Sequence, residues 1–155
     1  MEQEFRHYWS VVEQIHTKIN IYDSGESYLQ SLEEVRPELG RLYAAHLCQS
    51  EVCNGGFEQF FFNSSGILAP EAVEGFEAIG QESIALLVKG AMEKFGEPYP
   101  RERFDRVAIL DDMDEETAET LTALEENFFD LIGKEAGGFE AAADRYAASI
   151  LGEQR

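Results

Sequence analysis

At 155 residues the chain has the length of one domain, and folding can bury about 70% of the surface that its unfolded form exposes. A composition that is 44% hydrophobic, with 11 Phe, belongs to a protein with a real core rather than to a disordered acidic chain. The formal charge of −19, from 31 acids against 12 bases, argues against direct nucleic-acid or anionic-membrane binding, which need a basic footprint, and no run approaches the ~20 apolar residues that cross a bilayer.

The pattern is helical from end to end. Phe5, Trp9, Val12, His16 and Ile19 fall on one stripe, with Tyr8 and Ile15 beside it, which predicts an amphipathic helix over residues 3–20. Asp23, Ser24 and Gly25 read as a turn, and a short helix over about 26–34 follows. Pro37 suits the first turn of the next helix, where Leu39, Leu42, Tyr43, His46 and Leu47 share a face. Asn54, Gly55 and Gly56 break that pattern. Phe57, Phe60 and Phe61 then stand at i, i+3, i+4, so a very short aromatic helix is expected, closed by Asn63, Ser64, Ser65 and Gly66. Asn54 and Asn63 are expected to satisfy backbone groups at its two ends, and one of the two glycines to supply a positive φ.

Pro70 opens the next helix, with Ala72, Val73, Phe76 and Ile79 inward, Glu71, Glu74 and Glu77 outward, and Gly80 at its end. Ile84, Leu87, Val88, Ala91 and Phe95 form the following stripe, stopped by Gly96 and the Pro98-Tyr99-Pro100 turn. A shorter element near 101–110 precedes a long helix over about 114–132, and Gly137-Gly138 separates that from a last helix with the stripe Phe139, Ala143, Tyr146, Ile150. No strand alternation or internal repeat is visible. The predicted fold is all-α, a single compact multi-helix domain of about seven to nine helices spanning residues 3–153.

The acids are unevenly placed. No Lys or Arg occurs between Arg106 and Lys134, a gap that holds Asp111, Asp112, Asp114, Glu115, Glu116, Glu119, Glu125, Glu126 and Asp130. A second base-free window, Arg41 to Lys89, holds six Glu. At ~100° per residue, Glu115, Glu119, Glu126 and Asp130 lie within an arc of roughly 60°, and Asp112 joins them if the helix starts that early. Thr117, Leu121, Leu124, Phe128 and Leu131 take the opposite side, so the acids should face solvent as a column. A rise of ~1.5 Å per residue separates members of an i, i+4 pair by ~6 Å, comparable to phosphate spacing along one nucleic-acid strand. Such a column can present a DNA-like potential to a basic groove, or simply solvate the protein.

Other chemistry is sparse. Cys48 and Cys53 lie too close along one helix for an intrachain disulfide, and two free thiols fit a reducing cytoplasm; MEQEFRHYW has no signal-peptide pattern. His46 and His16 fall on apolar stripes and read as hydrogen-bonded core residues. His46, Cys48 and Cys53 lack the geometry of a zinc site. No metal, other cofactor or catalytic residue is assigned.

The string Glu51-Val52, Asn54-Gly55-Gly56-Phe57, Gln59-Phe60-Phe61-Phe62, Asn63-Ser64-Ser65-Gly66, followed by Ala72, Phe76 and Ile79-Gly80, resembles the signature of the DMP19-like family of bacterial proteins over roughly residues 40–95. Position 53 carries Cys where the family pattern favours Asn. The family's best-known member is a DNA mimic that occupies the DNA-binding surface of a transcription factor. The resemblance therefore implies a non-enzymatic cytoplasmic protein that blocks a basic DNA-binding protein and leaves a homodimer open. Its partner-binding charges would be Asp111, Asp112, Asp114, Glu115, Glu116, Glu119, Glu126 and Asp130, with Glu71, Glu74 and Glu77 as additions. An immunity or antitoxin protein covering a basic nuclease toxin would use the same electrostatics, and an enzyme would need a polar cleft that the sequence does not reveal.

Overall fold

Helix follows helix along the computed structural model, which describes residues 7–19 and 25–152. Eight α-helices occur among the described residues: α1 (His7–Lys18), α2 (Gly25–Glu33), α3 (Pro37–Phe62), α4 (Ala69–Ala78), α5 (Glu82–Glu93), α6 (Arg103–Asp112), α7 (Glu115–Ile132) and α8 (Phe139–Gly152). Short 3₁₀ turns sit at Ser64–Leu68 and Glu135–Gly137, and no strand occurs among these residues. The all-α expectation holds.

α3 is the hub. It packs on α4, α1, α6, α7 and α8, while α5 bridges α4 to α7 and α8 lies along α1. Close approach of α3 and α4 depends on Gly75, where a Cβ would sit 2.2 Å from the Arg41 carbonyl oxygen. The core is centred on aromatic rings. Phe57 and Phe76 both meet Phe128 edge-on, at centroid distances of 5.7 and 6.2 Å, and Phe61 stacks on Phe95 at 4.4 Å. Such pairs add about 0.5–1.5 kcal/mol each beyond the area they bury.

The stripe of α1 is turned relative to expectation. Tyr8, Val11, Val12, Ile15 and Ile19 are buried, whereas Trp9 is half exposed and His16 lies at the surface. The i, i+3, i+4, i+7 face was present in the sequence; counting the aromatic Trp9 and amphipathic His16 as core rotated it by about one residue. His16 still shares a hydrogen bond with the buried Tyr43 hydroxyl (Nδ1 to Oη 3.2 Å). Phe5 and most of the predicted turn at Asp23 and Ser24 lie outside the described residues.

His46 is half-buried, with its Nδ1 3.3 Å from the Tyr8 hydroxyl and the Trp9 ring packed edge-on at 5.3 Å. Burial, with a smaller push from His16, lowers its pKa to about 4. The unfolded chain therefore takes up this proton first as pH falls from 6.5. His46 contributes stability that is complete above pH 6.5 and lost as pH drops through about 4. Urea melts of the parent and His46→Gln across pH 7 to 4 check this, because the subtraction cancels the titration of the many acids. The stability difference should shrink by about 3 kcal/mol. A difference independent of pH contradicts it.

Candidate functional site

Two features compete as a site: the aromatic segment after the glycine pair, and the acidic surface of α7. α3 breaks at Gly55 and Gly56, where φ/ψ are −149/18 and 77/−177. Gly56 has the left-handed φ that favours glycine, and a Cβ there would lie 2.0 Å from Glu125 Oε1. That carboxylate accepts the Phe57 backbone N–H at 2.8 Å, so Glu125 of α7 caps the helix that restarts at Phe57. At the other end Arg106, fully buried, donates from Nε to Phe61 O (2.9 Å) and from Nη2 to Asn63 O (3.0 Å), and Arg103 Nε donates to Phe62 O (2.7 Å). A negative group at the N-terminus and positive groups at the C-terminus match the dipole of this short helix. Phe57, Phe60 and Phe61 are completely buried.

The asparagines act differently from expectation. Asn63 Nδ2 donates to Glu51 (2.9 Å), which also accepts from Gln59 Nε2 (2.7 Å), and Asn54 Nδ2 donates to Gln59 Oε1 (3.3 Å). These bonds staple the two arms of the broken α3 by side chain to side chain rather than capping backbone. The conspicuous polar residues of the motif thus hold the kink together. Ser65 and Gly66 are buried beneath it, and a Cβ on Gly66 would lie 2.7 Å from Phe60 O.

Glu125→Ala should remove the cap and leave a buried N–H unpaired, costing about 1–3 kcal/mol in a urea melt, while Glu125→Gln, which keeps an acceptor, should cost less. Equal stability of all three proteins would show that the cap is unimportant.

The remaining acids separate into structural and free groups. Glu135 caps α5 by accepting from Ser83 N (2.9 Å) and Ile84 N (3.1 Å). Asp114 caps α7, accepting from Thr117 N at 2.7 Å; that bond holds its pKa below the ordinary value, and the side chain stays exposed. Glu71 is not the free outward charge expected. Arg101 clamps it through two hydrogen bonds, of 2.6 and 3.0 Å, and Arg41 reaches Glu74 at 3.2 Å. Both bases lie outside the helix that carries the acids, so a base-free window in sequence is not a base-free surface in space. Glu77 is exposed and makes no ion pair among the described residues.

Along α7 the expected faces are present. Leu121 and Phe128 are buried, Thr117, Leu124 and Leu131 are partly so, and Glu115, Glu116, Glu119, Glu126 and Asp130 are exposed. None of these five makes an ion pair among the described residues. Asp112 belongs to α6, which ends there before the extended Met113 (φ −64, ψ 130), so it does not extend the column. It and Asp111 are exposed beside the start of α7. Asp111 and Asp112 occupy the last turn of α6, and Asp130 the last turn of α7, where the helix dipole disfavours negative charge. Helix stabilisation therefore does not account for them.

Cys48 is buried and Cys53 exposed, both as free thiols. No group of three His, Cys, Asp or Glu among the described residues is placed to hold a metal ion. No helix there is long and apolar enough to cross a membrane.

Fold and surface together define a class: an acidic all-α protein, built round an aromatic kernel, that carries a face of unpaired carboxylates. The particular family follows from the sequence. The model of the DMP19-like protein family matches residues 33–149, well beyond the segment that carries the signature, and the chain belongs to that family. No curated protein and no solved structure gives a match.

Proposed function

We propose that the chain is a non-enzymatic cytoplasmic DNA mimic that occupies the DNA-binding surface of a basic protein, such as a transcription factor, and so blocks its access to DNA. The observation that carries this reading is the column Glu115, Glu119, Glu126 and Asp130 on α7, exposed and free of ion pairs among the described residues. Asp111 and Asp112 at the end of α6, and Glu116 on α7, add exposed charge beside it. Membership of the DMP19-like family supports the same role. Two unpaired thiols fit a reducing compartment. A complementary groove would gain on-rate and register from this field.

The test is capture of partners from the native host's lysate on the immobilised chain, followed by elution with duplex DNA. The expected result is a basic DNA-binding protein that excess DNA displaces. A captured nuclease whose activity is blocked would replace the mimic with an immunity protein. Retention of the captured protein in saturating DNA would overturn mimicry.

A further inference from the structure

In a chain of net charge −19, three of the 12 bases converge on one small pocket. Arg101, Arg103 and Arg106 line it, together with Tyr28, Ser64 and the first residue of α2, Gly25. Its volume is about 130 Å³. At ~30 Å³ per liquid water, that is room for a few waters or one small ion, and not for a nucleotide.

The charges in it do not cancel. Arg101 is neutralised by Glu71. Arg106 is completely buried, and its hydrogen bonds go to the backbone carbonyls of Phe61, Asn63, Arg101 and Pro100, with no carboxylate pairing with it among the described residues. Arg103 gives its Nε–H to Phe62 O and stacks on the Phe62 ring, and its two Nη groups make no hydrogen bond or ion pair among the described residues. Glu102 is the single acid in the lining. The pocket therefore keeps an excess positive charge, with the positive end of the α2 dipole on the same side. The Tyr28 hydroxyl is buried beside that of Tyr43, so Tyr28 contributes a wall of the pocket rather than a donor. The exposed Nη groups of Arg103 can meet an anion at contact, and the buried charge of Arg106 adds attraction from behind.

We propose that this pocket binds a small tetrahedral oxyanion of the phosphate type, held by the Nη groups of Arg103 and the Ser64 hydroxyl, with the buried charge of Arg106 behind them. The rest of the molecule repels such an anion, but distance decides between the two fields. At physiological ionic strength the Debye length is ~8 Å, so the distant acids are screened while the pocket's charges act at contact. No residue of α7 lines the pocket, and the proposal does not depend on what the α7 column binds.

The experiment is an NMR titration of the Arg103 and Arg106 Nε–H signals with inorganic phosphate, run against sodium chloride at matched ionic strength. Saturable shifts of both signals in phosphate alone are expected, with the Gly25 and Glu26 amides moving alongside. Arg103→Gln keeps a donor for the Phe62 carbonyl and should weaken phosphate binding about tenfold, the loss of one charge-assisted contact. Equal shifts in chloride, or an Arg103→Gln variant that binds phosphate as tightly as the parent, would overturn the site.

Discussion

Phe60→Ala is expected to destabilise the protein by about 3–5 kcal/mol, the usual range for truncating a fully buried Phe. Phe60 has no exposed surface, and its ring lies 5.1 Å from Phe61, which stacks in turn on Phe95. The surrounding backbone cannot collapse into the space, since its helix is fixed by Glu125 at one end and by Arg103 and Arg106 at the other. Phe62, two residues on, is the internal comparison. It is 44% exposed and touches Arg103 through a cation–π contact, so Phe62→Ala should cost about 1 kcal/mol or less. Chemical denaturation of both variants separates the readings. If Phe60→Ala melts with Phe62→Ala, the segment is a surface site and not the keystone of the fold.

Periodicity made much of this architecture legible. The stripes of α4, α5, α7 and α8, and the stops at Gly80 and Gly96, where φ is +91 and +110, follow from spacing and from glycine chemistry. The break at Gly55-Gly56 was equally visible. What periodicity cannot report is which distant group completes a local one. Glu125 sits 68 residues from the N–H it caps, and Arg101 lies 30 residues from Glu71. Both pairings exist only after α7 has packed on α3 and the segment before α6 has come against α4. For the same reason the reading of the acids by sequence windows placed Glu71 and Glu74 among the free charges. Arg106 did carry a signal that went unused: it stands three and four residues before Ile109 and Leu110, a base on a helix's apolar side. A base in such a place needs acceptors, and the carbonyls at the end of α3 supply them.

Of the 31 acids, then, some are bound into the fold and others are not, and that division sharpens the functional test. Neutralising Glu115, Glu119, Glu126 and Asp130 to Gln or Asn should abolish partner binding while leaving the melt almost unchanged. Stability should hold for two reasons. All four side chains are exposed and unpaired among the described residues, a class of site where substitutions usually stay within about 0.5 kcal/mol. Their effects on the α7 dipole also oppose each other, since Glu115 lies at its favourable end and Asp130 at its unfavourable one. Binding has no such compensation, because a basic groove would lose both its steering field and its ion pairs. For the parent, affinity should fall steeply with salt, as exposed charges are screened beyond ~8 Å at physiological ionic strength. Glu125→Gln serves as the converse control: it alters stability through the cap and should leave the salt dependence in place. A quadruple variant that binds as tightly as the parent would move the binding surface off α7. Asp111, Asp112 and Glu116 would then be the remaining free acids nearby, since Arg101 and Arg41 already occupy Glu71 and Glu74.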